Sequence, residues 1–179
     1  VVSSQSPDYA RLPYISLEDI ERNTGRILRD PQISDRPVTG NCFRFDERHV
    51  LFSKLRPYLN KVAAPWFSGK CTTELIPLLP EAGVSRDYLS YLLRRPQIVE
   101  VALKHGTGAR MPRANLSLVL AELVPLPSSL KEQQEIVEKV TEKIRLINDS
   151  REACQRALQL LDDLTLQTLS EFPFNDEKL

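Results

Sequence analysis

Ser129-Leu-Lys-Glu-Gln-Gln-Glu-Ile-Val137, running on through Glu138-Lys-Val-Thr-Glu-Lys-Ile-Arg-Leu-Ile147 to Glu171, divides this chain in two. No glycine or proline interrupts it between Pro127 and Pro173. Its residues are mostly Leu, Glu, Lys, Gln, Arg and Ile, which lose little side-chain freedom in a helix. Ser129 and Glu132 have capping-box spacing: the Ser hydroxyl takes the Glu132 amide, and the Glu side chain reaches back to the Ser129 amide. One helix is therefore expected from about Leu130 to about Glu171, roughly 60 Å long at about 1.5 Å per residue. Val137, Val140, Ile144, Ile147, Arg151, Cys154, Leu158 and Leu161 recur in steps of three and four, the pattern of a coiled-coil seam. Arg151 interrupts the seam, and Leu164, Leu166 and Leu169 drift off it. A single helix cannot cover its own apolar stripe, so the pattern calls for a second helix.

The rest of the chain reads differently. Twelve of the 13 prolines lie at or before Pro127, and the last of the six glycines is Gly108. Short elements alternate there. Ser16-Leu-Glu-Asp19 starts a brief helix that Asn23-Thr-Gly25 ends. Residues 25–28 and 49–53 read as strands, and 62–67 with 71–79 as a hairpin closed by Ser68-Gly-Lys70. Ser85 caps a helix through Arg95 that Pro96 stops. Residues 97–105 form a second helical piece, and 122–126 a last strand. The fold class is α/β: an irregular mixed domain over 1–128, one long coiled-coil-forming helix over 129–172, and a tail over 173–179.

Composition narrows the function. The 179 residues carry 24 basic and 24 acidic side chains, with 41% hydrophobic and 27% charged residues. That profile excludes wholesale disorder and a collagen-like fibre. No apolar run approaches the roughly 20 residues of a spanning helix, and the polar start of the chain is no secretory signal. The first residue is Val1, not Met, so a fragment or a processed chain is expected. Cys42, Cys71 and Cys154 are odd in number and far apart, which favours a reducing cytoplasm over a disulfide framework. His49 and His105 have no Cys or His at metal-ligand spacing, so no metal site is expected.

The neutral total hides a division. Residues 1–129 carry 17 basic and 13 acidic groups, and residues 130–179 carry 7 and 11. Within 48–113 there are 11 basic groups against 4 acidic ones. A basic patch on a folded domain is the footprint of a polyanion partner.

Two stretches concentrate suitable chemistry. In Phe52-Ser-Lys-Leu-Arg-Pro-Tyr-Leu-Asn-Lys61, an extended backbone would put Lys54, Arg56, Tyr58 and Asn60 on one face. Two cations, a phenol and an amide suit phosphate oxygens and base edges. The bland reading is a solvated edge strand, its cations guarding against aggregation and its Pro57 unable to donate to a ladder. In Gly106-Thr-Gly-Ala-Arg-Met-Pro-Arg113, two glycines allow close approach to a ligand, and Arg110 and Arg113 suit phosphate or guanine. The bland reading there is a surface turn. Catalytic sets are missing: there is no Walker loop, no Ser/His/Asp arrangement in recognisable context, no nuclease-like carboxylate cluster and no Asn-Pro-Pro-aromatic tetrapeptide. The histidines read as surface or core residues, and Cys154 as packing.

Taken together, the motifs resemble a known family. Tyr14-Ile-Ser-Leu-Glu-Asp-Ile-Glu-Arg-Asn-Thr-Gly25, Val50-Leu-Phe-Ser-Lys-Leu-Arg-Pro-Tyr-Leu-Asn-Lys61, Cys71-Thr-Thr-Glu74, Gly108-Ala-Arg-Met-Pro-Arg113 and Pro125-Leu-Pro127 followed by Glu132-Gln133 resemble, in order, the specificity subunit of type I restriction-modification enzymes. Each motif is weak, and five in order over nearly the whole chain are strong. The resemblance implies a target-recognition domain reading one half of a split DNA sequence, and a helix acting as spacer. It implies no catalysis and no cofactor in this chain. S-adenosylmethionine belongs to a partner methyltransferase (modification) subunit, and ATP to a restriction/motor subunit.

Family members carry two such domains and two such helices, so this chain looks like half a subunit, either a shortened form or a natural half that dimerises. An antiparallel homodimer through the seam is expected, with Arg151 meeting Glu152 or Asp149 of the other copy. Candidate DNA contacts are Lys54, Arg56, Tyr58, Asn60, Lys61, Lys104, Arg110, Arg113, Arg26 and Arg44, with base readout expected within 26–45 and 104–113. A coiled-coil scaffold and another nucleic-acid-binding module, RNA included, remain as alternatives. An enzyme would need a catalytic set that is not apparent.

Overall fold

A computed structural model describes residues 12–29, 38, 40–104, 106–108 and 110–171. The expected tail, His105 and most of 30–39 lie outside the described residues. Two small sheets form the framework. Strand β1 (Tyr14–Ile15) runs parallel to β5 (Gly69–Thr72), and β2 (Cys42–Phe45) pairs antiparallel with the other edge of β5. In the second sheet β3 (Val50–Ser53) lies between β4 (Val62–Ala63) and β6 (Leu75–Leu78), all antiparallel.

The alternation along β3 explains why it is central. Leu51 packs with Ile15, Ile20, Phe45, Ala63, Cys71 and Leu75, while Val50 and Phe52 join Val62, Leu93, Ile98, Ala102 and Val119. Successive side chains of a strand point to opposite faces, so β3 feeds two clusters at once. Each such side chain gains roughly 1.5–3 kcal/mol on burial.

Helices cover the second sheet. Helix α1 (Arg86–Leu93) is capped by Ser85, whose hydroxyl accepts from the Tyr88 amide at 3.4 Å. Helix α1 ends at Leu93, two residues short of the expected Arg95, and Pro96 opens α2 (Pro96–Lys104). Its missing N–H is no loss at a first helical position. Helix α3 (Leu116–Leu120) was not expected, and it buries Val119. The reading of 122–126 as a strand is corrected: no strand forms there. Residues 25–28 make only a bridge between Ile20 and Ile27. The expected hairpin of 62–67 with 71–79 does not form. Instead β4 and β6 flank β3, and β5 belongs to the other sheet, so the Thr73-Glu74 turn carries the chain from one sheet to the other. The Ser16–Asp19 helix is a single 3-10 turn over Leu17–Asp19, its Ser16 amide donating to the Asp19 carboxylate at 2.7 Å.

Helix α4 (Leu130–Ser170) has 41 residues. Ser129 takes the Glu132 amide at 3.2 Å, as the capping box predicts, whereas the Glu132 carboxylate takes the Ser128 hydroxyl rather than the Ser129 amide. By compactness the chain divides into Val1–Val137 and Glu138–Leu179. The first turns of α4 thus belong with the domain. Gln133 is fully buried: its side-chain oxygen accepts from the Ser85 amide at 2.7 Å, and its amide donates to the Gly83 carbonyl at 2.8 Å. Val137 packs on Tyr88 and Leu92. This corrects the seam: Val137 serves the domain core, and the uncovered stripe starts at Val140. In the second unit Ile147, Leu158 and Leu161 are 58%, 62% and 59% exposed. Arg145 pairs with Glu142 at 2.8 Å and lies 4.0 Å from Asp149, and Arg156 lies 3.8 Å from Glu152. Arg151 is exposed.

Candidate nucleic-acid interface

The stretch after β3 does not stay extended. Lys54 donates its amide to the Glu74 carbonyl at 3.0 Å, and Leu55 bridges to Arg113. Arg56 then enters the left-handed region with φ 50°, Pro57–Leu59 makes a 3-10 turn, and Asn60 is left-handed again with φ 47°. The expectation of one shared polar face is therefore corrected. Positive φ is uncommon for a non-glycine residue. Here it is held in place because the Arg56 amide donates to the Pro112 carbonyl at 2.8 Å and the Asn60 amide to the Pro57 carbonyl at 2.9 Å.

The candidate residues separate by what they touch. Arg113 makes a forked pair with Glu74, with Nη2 at 2.9 Å and Nε at 3.2 Å, and Lys54 Nζ lies 3.9 Å from the same carboxylate. The Glu74 hydrogen bonds raise the Arg113 pKa further above its ordinary value. Lys61 donates to the Leu17 carbonyl at 2.6 Å, and burial lowers its pKa. Arg26 pairs with Glu21 at 3.2 Å. Arg44 on β2, Arg56, Lys104 and Arg110 are exposed, and among the described residues none of them makes an ion pair. Tyr58, Asn60 and Lys104 come together at an open cleft of about 660 Å³ that Asn23, Arg94 and Glu100 also line.

Arg94 escaped the sequence reading, and it ties this region together. Its guanidinium donates to the Thr24 carbonyl, stands 4.5 Å from the centre of the Tyr91 ring, and has its pKa lowered by burial. Asn60 donates to the Arg94 carbonyl at 3.0 Å. The Asn23 amide donates to the carbonyls of Leu59 and Asn60 at 3.3 and 3.2 Å. Gly25, with φ 74°, lies where any Cβ would run into the Val62 carbonyl and the Arg94 guanidinium. Only glycine combines that φ with that approach. The motif at 14–25 is thus a partner of the motif at 50–61. Glu74 likewise joins 71–74 to 108–113. The signal for Glu74 was in the sequence: it is one of four acids among 11 basic residues.

Chemically the domain offers exposed cations on a well-tied frame, which suits phosphate contact. Among the described residues no group of three or more His, Cys, Asp or Glu could hold a metal ion, and no helix is long and apolar enough to cross a membrane.

Comparison with known proteins adds a likeness. No protein-family model matches the chain. The EcoDI type I restriction enzyme specificity subunit of Escherichia coli is 25% identical over 164 residues, covering 92% of this chain and 36% of that protein. The HsdS subunit from Thermoanaerobacter tengcongensis superposes with a TM-score of 0.66 at 22% identity, over 94% of this chain and 45% of that one. A chain from a structural study of complex assembly and conformational transition of the type I R-M system gives 0.69 at 20% identity, with the same coverage. The chain therefore spans less than half the length of these proteins. In sequence pattern and in fold, the chain resembles one half of a type I restriction-modification specificity subunit.

Proposed function

We propose that this chain is a DNA-recognition half of a type I specificity subunit. The basic domain takes one half of a split duplex target, and α4 pairs with a second helix that sets the distance to the other half. The observation that carries the reading is a division of labour within one chain. Arg44, Arg56, Lys104 and Arg110 stand exposed on the domain, and Ile147, Leu158 and Leu161 stand exposed along the helix. Cations meet phosphate, and an uncovered apolar stripe meets protein.

The chain is non-catalytic in this reading and acts in the cytoplasm. It binds neither S-adenosylmethionine nor ATP, which belong to the methyltransferase and restriction/motor subunits that it positions. In isolation it forms an antiparallel homodimer through α4, which places the two domains at opposite ends and restores two-fold symmetry.

The test is a selection on random duplex DNA with the chain plus its methyltransferase subunit. A short motif, repeated in inverted orientation when the chain dimerises, is the expected product. Non-specific affinity should be about 10⁻⁴ to 10⁻⁶ M and fall steeply with salt. No enrichment, together with absent binding at every salt concentration, would leave the scaffold reading in its place.

A further inference from the structure

Two segments distant in sequence, through Lys54 and Arg113, end on the carboxylate of a third, Glu74. Glu74 sits in the turn between β5 and β6, its side chain 22% exposed. Its carbonyl accepts from the Lys54 amide at 3.0 Å, and its carboxylate takes both Nε and Nη2 of Arg113. Arg113 in turn closes a loop. Its amide donates to the Thr107 carbonyl at 2.8 Å, the Thr107 amide returns to the Arg113 carbonyl at 2.9 Å, and the Pro112 carbonyl accepts from Arg56. Arg110 and Met111 are exposed in this loop. Glu74 therefore grips the base of a loop that carries two exposed cations, Arg110 and the paired Arg113, and touches the backbone of Arg56.

A carboxylate at this place works against phosphate binding. It repels a phosphate directly and occupies two cations of the basic half-domain. A forked, charge-assisted pair is roughly twice as strong as a neutral hydrogen bond, and a surface phosphate would have to displace it. Arg113 and Lys54 are thus poor phosphate contacts, in contrast to Arg56 and Arg110, which no carboxylate holds among the described residues.

We infer that Glu74 is a positioning residue: it holds Arg113 and Lys54 to the fold and so presents the 107–113 loop, leaving phosphate to Arg56 and Arg110. The inference rests on the DNA-recognition reading for its partner, though not for its geometry. Without the carboxylate, Arg113 becomes free to join the phosphate contacts, and the loop loses its base.

Two readouts on the full chain test this. The first is the salt dependence of binding to a random-sequence duplex, in which each phosphate contact contributes about 0.9 to the log–log slope. Arg56→Ala and Arg110→Ala should each flatten the slope by about 0.9 units. Glu74→Gln should steepen it by about the same amount, and adding Arg113→Ala should return it to the wild-type value. Glu81→Gln, an exposed acid in another turn, controls for simple loss of negative charge and should not steepen it. The second readout is amide hydrogen exchange at Thr107, Arg113 and Ala114, which Glu74→Gln should accelerate. Arg113→Lys keeps the charge and loses the fork, so it should accelerate the same amides, and it carries the test if Glu74→Gln does not fold. An unchanged slope and unchanged exchange in Glu74→Gln would overturn the inference, as would an Arg113→Ala single variant that flattens the slope as much as Arg56→Ala. If the wild-type chain shows no salt-dependent duplex binding, the recognition reading fails, while the exchange data still decide the role of Glu74.

Discussion

The first two turns of α4 and the rest of the same helix share one periodicity and have opposite surroundings. In residues 130–137, Gln133 and Val137 are buried against the segment after Pro80 and against α1. In residues 138–170 every side chain is at least partly exposed, and Leu158, Leu160, Leu161, Leu164 and Leu166 are each more than half exposed. An apolar repeat thus says that a surface will be covered and not by what. At Val137 the cover is the chain's own domain. From Val140 onward every apolar side chain of the stripe is at least partly exposed.

Charge substitutions on the exposed stripe should act most strongly. Ile144→Asp with Leu158→Asp places charges on the stripe of both copies. Each buried Ile or Leu is worth roughly 1.5–3 kcal/mol, so self-association should be abolished by sedimentation while the domain's circular dichroism is retained. Cys154 reports the same event: exposed in the single chain, it should react readily with a thiol reagent in the double variant and slowly in the wild type. A wild-type chain that sediments as a monomer at tens of micromolar would rule out self-association and reserve the stripe for another partner.

The buried half carries the next effects. Cys71 is fully buried, and desolvation pushes its thiol from 9.0 up to about 12. Its folded-state pKa is raised, so the neutral form favours the fold fully below pH 9 and this contribution is lost as pH rises through the folded value. Chemical denaturation should show up to about 4 kcal/mol of stability disappearing across that window, and Cys71→Ala should remove that share of the dependence. Gln133→Ala should cost about 2–4 kcal/mol, because the Ser85 amide and the Gly83 carbonyl each lose a buried partner. The smallest effect draws the boundary most sharply: Val137→Ala should lower domain stability by about 1–2 kcal/mol. Val140→Ala, in the monomeric background, should leave the domain's melting unchanged.

Local patterns and long-range geometry were unequally legible. The helix over 130–170, its Ser129 cap, the Ser85 cap of α1 and the contrast between a basic domain and an acidic helix all follow from neighbours within about four residues. Capping and period are properties of local backbone, so adjacent residues suffice to read them. The order of the five motifs, and with it the resemblance to a specificity subunit, was legible for the same reason.

The pairing of strands and the fate of the cations were not. Residues 62–67 and 71–79 were read as one hairpin, yet β4, β5 and β6 are distributed over two sheets. The 52–61 stretch alternates like a strand, yet two left-handed residues curl it around Pro57. Arg113 and Glu74, 39 residues apart, neutralise each other, and Gln133 finds Ser85 across 48 residues. Propensity and period carry no term for such partners. A side chain's surroundings are set by which segments pack together, and only the folded chain paired Lys54 and Arg113 with Glu74 while leaving Arg56 and Arg110 without an ion pair among the described residues.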